Sequence, residues 1–219
     1  TRAQSDDGYY SRVLVGIQKG AQQNRYHLMW TTASSNTSSL PALVTENRVD
    51  GLLVEGSFPE LFRRLLTQRL PCVFIDRSYP SVGGGSVMPN IEVAAKEQLE
   101  YLWELGHRNI ITFMQSPPTL HCEIHLRAFH KFFAEKKHPI VRSDLCLPRE
   151  ISLETHAQVL AKYAQEFVAA RPRPTAVVSW DTYVLTLMEE LQGLGMRVPE
   201  EFSLVGIDDM AAARRSTPQ

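Results

Sequence analysis

The sequence predicts an α/β protein made of two doubly wound lobes, each a parallel sheet covered by helices, with a ligand cleft between them. Three observations carry this. Short apolar runs alternate with amphipathic stretches of ~10–18 residues, the pattern of βαβ units. The runs are apolar throughout, as in strands covered on both faces, rather than alternating as in half-exposed sheets. Finally, Gly and Pro concentrate between Ser81 and Asn90, which divides the chain into an N-terminal lobe over 1–89 and a C-terminal lobe over 90–219.

In chain order, Ser11 to Asn24 carries Val13, Leu14, Ile17 and Ala21 at helical spacing, and Tyr26 to Trp30 reads as a short strand. The Ser, Thr and Asn tract from Thr31 to Ser39 is a loop, followed by a short helix over Ser39 to Asn47 and a strand over Val49 to Val54. Pro59 to Gln68 is helical, Pro71 to Asp76 a strand, and Ser86 to Met88 a short extended piece after the Gly83–Gly85 turn. Glu92 to Leu105 is a helix stopped by Gly106. Arg108 to Met114 is a strand, Leu120 to Lys137 a helix, and Ser152 to Ala170 a helix opened by its serine. Thr175 to Trp180 is a strand, Asp181 to Leu194 a helix stopped by Gly195, and Phe202 to Ile207 the last strand. One sheet then holds the strands near 28, 52 and 74, and the other those near 111, 178 and 205. Ligands of such sheets bind beyond the carboxyl ends of the strands, where Asp76, Gln115 to Pro118, Trp180-Asp181 and Asp208-Asp209 fall.

Composition narrows the function classes. The 219 residues are 43% hydrophobic and 21% charged, and 23 Lys and Arg against 24 Asp and Glu leave a net charge of −1. That balance excludes a dedicated nucleic-acid arm or a polybasic membrane surface. No run reaches the ~18 apolar residues of a membrane span. Cys72, Cys122 and Cys146 are widely spaced without a CxxC pair, which suits a reducing, cytoplasmic setting.

Reactive-looking clusters resolve into ordinary structure. His121, Cys122, Glu123 and His125 place two histidines on one helical face, but there is no HExxH and no further ligand pair, so no metal is expected. Ser179-Trp180-Asp181 lacks the G-x-S-x-G elbow, and Asp181 reads as a helix N-cap. Gly83-Gly84-Gly85 lacks a phosphate-loop pattern and reads as a linker. No catalytic residue and no cofactor is assigned. Tyr9-Tyr10 at a helix entry suits either core packing or stacking on a ligand ring. Asp208-Asp209 either accepts hydrogen bonds from ligand hydroxyls or caps the next segment. Arg63-Arg64, Lys136-Lys137 and Arg214-Arg215 read as solvated faces.

Several stretches together resemble the lactose and galactose repressor family of bacterial transcription regulators. They are 48–54 (RVDGLLV), 71–77 (PCVFIDR), 105–110 (LGHRNI), 173–178 (RPTAVV) and 195–209 (GMRVPEEFSLVGIDD). The resemblance is to the effector-binding domain alone, a two-lobed fold of periplasmic-binding-protein type I. It implies a small-molecule effector, a sugar or related metabolite, and a homodimer that reaches operator DNA through a helix-turn-helix domain. The chain opens on a helix with no strand before it and stops at Ser216–Gln219, so the expected fold is shortened at both ends.

By resemblance, Tyr9 and Tyr10 touch the effector, and Asp76 and Asp208 bind its hydroxyls or amines. Where relatives carry an effector-binding arginine this chain has His125, and where they carry an asparagine it has Trp180, ahead of a retained aspartate. A stacking aromatic of relatives falls near Ile151, and their VDN crossover reads Met88-Pro89-Asn90. Losing the guanidinium fork and gaining an indole face implies a more apolar, differently shaped pocket. The rival reading is a periplasmic solute-binding protein of a transporter, which shares the fold. A hydrolase ranks third, for want of a coherent acid/base or nucleophile set.

Overall fold

The structure, a computed structural model, describes residues 8–32, 39–56, 64–65, 70–79, 84–116, 118–142, 145–148 and 153–218. By its contacts the chain divides into two compact units, one of Val15–Asn90 and one of Thr1–Leu14 with Ile91–Gln219. Helix α1 (Tyr9–Gln23) contributes its first residues to the second of these and its remainder to the first.

The unit of Val15–Asn90 adds α2 (Ala42–Thr45) and strands β1 (Leu52–Glu55), β2 (Cys72–Ile75) and β3 (Gly85–Val87). The strands form a parallel sheet in the order β1-β2-β3, in register Leu52↔Cys72 and Val73↔Gly85. Val44, Leu65 and Phe74 are its buried centre. Two expectations are corrected here. Tyr26–Trp30 is not a strand: it is irregular, with Tyr26 66% and Trp30 58% exposed. A strand needs a neighbour to pair its N–H and C=O groups, and no described strand lies beside this one, whatever its apolar content. The third strand is instead the short piece ending at Val87. The predicted helix over Pro59 to Gln68 lies mostly outside the described residues, as do Gly83, the Ser152 cap and Ile151.

The larger unit holds α3 (Ile91–Glu104), β4 (Ile110–Ser116), α4 (Leu120–Glu135), β5 (Leu145–Pro148), α5 (Leu153–Ala169), β6 (Ala176–Val178), α6 (Asp181–Gly193), β7 (Ser203–Val205) and α7 (Ala211–Arg215). Its strands are all parallel, in the order β5-β4-β6-β7. Strand β5 is an addition to the sequence reading. Only Leu145 and Leu147 of its four residues are buried, and it ends in a proline tolerated because it lies at the sheet edge.

Successive strand residues point to opposite faces, and here both faces are covered. Ile111, Phe113 and Val177 join Leu160, Phe167, Leu187 and Leu191 of α5 and α6. Ile110, Ala176 and Val178 join Leu99, Leu102, Phe129 and Phe133 of α3 and α4. This is the doubly wound arrangement the continuous apolar runs predict. Each fully buried Leu or Phe contributes about 1.5–3 kcal/mol by transfer from water.

The helix stops form as read. At Gly106 (φ +94°) the His107 N–H donates to the Leu102 carbonyl at 3.0 Å and the Gly106 N–H to Trp103 at 3.1 Å, a left-handed turn that glycine adopts without strain. Thr119 opens α4 by accepting from the Cys122 N–H at 3.2 Å.

Candidate functional site

The strand order β5-β4-β6-β7 reverses direction between β4 and β6. The helix after β4 covers one face of the sheet and the helix after β6 covers the other. The carboxyl ends of these two strands are therefore a topological switch point, the place where open α/β sheets take ligands.

From the β6 side, Trp180 projects at the start of α6. From α4, His125 meets it, with ring centroids 5.3 Å apart and planes tilted by 44°. His125 has no exposed surface, and burial pushes its pKa down to about 4, so the ring is neutral near pH 7. Its Nε2 lies 3.4 Å from the Gln98 Oε1. That pairing puts the proton on Nε2 and leaves Nδ1 as a buried acceptor without a hydrogen-bond partner. Trp180, against which the buried His125 packs, is itself half-buried.

Gln98 in turn donates through Nε2 to the Gly206 carbonyl at 2.9 Å. This begins the loop 206–210 after β7, which is held from several sides. The Asp181 N–H donates to the Ile207 carbonyl at 2.9 Å, and the Met210 N–H donates to the Asp181 Oδ2 at 2.6 Å. Arg12 on α1 donates through Nη1 to the Asp209 carbonyl at 2.7 Å and through Nη2 to the Asp208 carbonyl. Arg214 donates through Nε to the Asp209 Oδ1 at 2.8 Å and through Nη2 to Oδ2, and this fork holds the Asp209 carboxyl below the usual carboxylate range.

One sequence reading changes. Asp181 is not an N-cap: Trp180 occupies that position without a side-chain cap. The Asp181 carboxylate, 3% exposed, turns instead to the Met210 N–H, and burial pushes its pKa up. Arg214 is solvated as read, its side chain 56% exposed, and it also pairs with Asp209. Of the Asp208-Asp209 pair, then, the second serves the loop itself.

Tyr9 and Tyr10 form the first turn of α1, with rings 5.3 Å apart and nearly perpendicular. Neither is buried, so they are not core residues. Asp76 belongs to the other unit. It follows β2 with φ 58° and 4% exposure, and its N–H donates to the Val87 carbonyl at 2.9 Å. Among the described residues no group of three or more His, Cys, Asp and Glu is arranged to hold a metal ion. Cys122 of the metal-like run accepts instead from the Thr119 hydroxyl at 3.2 Å.

A family model described as "periplasmic binding protein-like domain" matches residues 99–219, more than half of the chain. The chain belongs to the periplasmic binding protein-like family. Among curated members and relatives it is 28% identical over 222 residues to the HTH-type transcriptional repressor PurR of Vibrio parahaemolyticus, covering 98% of this chain and 65% of that protein. It is 23% identical over 221 residues to the ribose operon repressor of Haemophilus influenzae, covering 98% and 64%. The chain thus spans less than two-thirds of the length of these relatives. Its fold is that of a regulatory protein of LacI family from Chloroflexus aggregans, with TM-score 0.84 at 20% identity over 100% of this chain and 79% of that one. It is also that of a LacI family transcriptional regulator from Enterococcus faecium with bound ribose, with TM-score 0.76 at 20% identity over 96% and 77%. The resemblance read from the five sequence stretches is borne out, and these relatives are repressors rather than transport proteins.

Within this periplasmic binding protein-like unit, Arg12, Gln98 and Gly206 were not singled out from sequence. Gln98 had a visible signal, a polar residue beside the apolar stripe of Ala95, Leu99 and Leu102. Arg12 had only its place one turn after Tyr9. Among the described residues no helix is long and apolar enough to cross a membrane.

Proposed function

We propose that this chain is the ligand-sensing and dimerisation domain of a DNA-binding transcriptional repressor. The observation that carries this is the match to repressors over 98% of the chain. The effector is a sugar or related metabolite, taken between two lobes formed by residues 1–89 and 90–219. A bound ribose in one structural neighbour and a bound glucose in another, a LacI family regulator from Lactobacillus casei, support that ligand class. Tyr9, Tyr10 and Trp180 offer aromatic faces to an apolar ring face, Asp76 and Asp208 accept from hydroxyls, and His125 backs Trp180.

Binding regulates only through a difference in affinity between two arrangements of the protein, typically 1–3 kcal/mol. The homodimer gives two copies of the DNA reader for a two-fold operator. Operator DNA is reached through a helix-turn-helix domain outside these residues, in the cytoplasm, and no catalytic step is assigned.

A thermal-shift screen with D-ribose, D-glucose and free purines tests the reading. A ligand at ~100 times its Kd adds about 2.7 kcal/mol, which raises the melting temperature of a chain this size by roughly 5–10 °C. Failure of every sugar and purine to shift melting would contradict the ligand class.

A further inference from the structure

We propose that Arg12 is a positioning residue, a fork that fastens the Asp208–Asp209 loop to the helix carrying Tyr9 and Tyr10 and so holds the aromatic and acidic ligand-reading groups in one geometry. The proposal deepens the sensing role above and rests on it for the word "ligand". Its structural half does not depend on that role.

Asp208 has φ 110° and Asp209 φ 51°, two successive non-glycine residues on the left-handed side. Such residues are strained and persist only where the surroundings over-determine them. Successive carbonyls of the loop are each taken: Gly206 by Gln98, Ile207 by the Asp181 N–H, and Asp208 and Asp209 by Arg12. Arg12 takes the carbonyls of both strained residues, while Arg214 holds the Asp209 carboxylate. A guanidinium suits this, because its planar fork presents parallel N–H groups that can meet two adjacent acceptors at once, which a lysine ammonium on a flexible stem cannot.

The link is also long-range. Arg12 and Asp209 are 197 positions apart, so the fork joins the opening turn of α1 to the far end of the chain. Tyr9 lies one helical turn before Arg12 and shares its face of α1. Displacing the loop would therefore move the Asp208 backbone relative to the turn of α1 that carries the tyrosines. The charge of Arg12 also favours the ionised forms of Asp181 and Asp209, the two carboxylates that brace the same loop.

Amide hydrogen exchange of the chain and of its Arg12→Ala and Arg12→Lys variants tests the structural half. The Ile207 and Met210 amides report directly, since they are bonded to the Ser179 carbonyl and the Asp181 carboxylate. We expect exchange at these two amides to quicken about tenfold or more in Arg12→Ala and by less in Arg12→Lys, with the β4 and β6 amides unchanged. Unchanged exchange at Ile207 and Met210 would overturn the proposal, and general quickening that includes β4 and β6 would overturn it in favour of a global stability role.

Calorimetric titration with D-ribose and D-glucose tests the ligand half. Where the unmodified chain binds either sugar, Arg12→Ala should weaken it about tenfold, and Arg12→Ala with Asp208→Ala should weaken it no more than Asp208→Ala alone. Undiminished binding in Arg12→Ala would overturn the positioning role. If the unmodified chain binds neither sugar, the sugar reading of the site fails, while the exchange result still decides whether Arg12 holds the loop.

Discussion

Gly206 leaves the space that the Asp181 carboxylate fills. A Cβ built on Gly206 would collide with the Asp181 Oδ1 and lie 3.2 Å from the Val184 Cγ2. The glycine between β7 and the aspartate pair is thus needed for close approach, since its own φ is unexceptional. The carboxylate reaches through this gap to the Met210 N–H.

Gly206→Ala should therefore destabilise the fold by about 2–4 kcal/mol, at the upper end of ordinary overpacking because the displaced group is a buried, bonded carboxylate. In an Asp181→Ala background the same change should cost under ~1 kcal/mol, because the obstacle is gone. Urea denaturation of the four-member cycle measures this coupling. Additive costs would show that the two residues do not share the space.

A buried neutral histidine sets an acid limit. With the His125 pKa lowered from 6.5 to about 4 in the folded chain, the unfolded chain takes up a proton first as the pH falls. Stability should then be full above pH 6.5 and decline towards pH 4, by up to about 3 kcal/mol from this group. His125→Leu should flatten most of that limb in chemical denaturation at a series of pH values. His107, whose pKa burial and Arg108 also push down, contributes to the remainder, as does Asp209 near the acid end. An unchanged slope in His125→Leu would contradict the assignment.

His107 gives the Gly-His-Arg stretch a structural role. Its Nδ1 lies 2.9 Å from the Thr175 hydroxyl and its Nε2 3.0 Å from the Ser203 hydroxyl, tying the α3–β4 turn to the starts of β6 and β7. His107→Ala should cost about 1–3 kcal/mol, and Thr175→Val should add under ~0.5 kcal/mol in that background. A full additional cost on thermal or urea unfolding would show that the hydroxyl serves another group.

The sheet of the larger unit was legible because the runs around Ile111 and Val177 are apolar on both faces, and only a doubly covered strand asks for that. Composition was misleading at Tyr26–Trp30, which has strand residues but no ladder neighbour. It was silent at β5, where only Leu145 and Leu147 mark a strand ending in proline. The positions of Trp180 and Asp208 at strand ends were readable as site edges. What holds them was not. Arg12 with Asp209, and Gln98 with Gly206 across 108 positions, are pairings no local pattern encodes. The turn of Asp181 away from its own helix depends on where Met210 falls in the folded chain.

We propose that a small metabolite is read at the carboxyl ends of β4, β6 and β7. Isothermal titration of the chain with D-ribose, D-glucose and hypoxanthine, repeated on Trp180→Ala and Asp208→Ala, tests it most directly. We expect one saturable ligand, weakened at least tenfold by each substitution while melting stays within a few degrees of the unmodified chain. Binding indifferent to both substitutions, or no binding of any of the three, would contradict it.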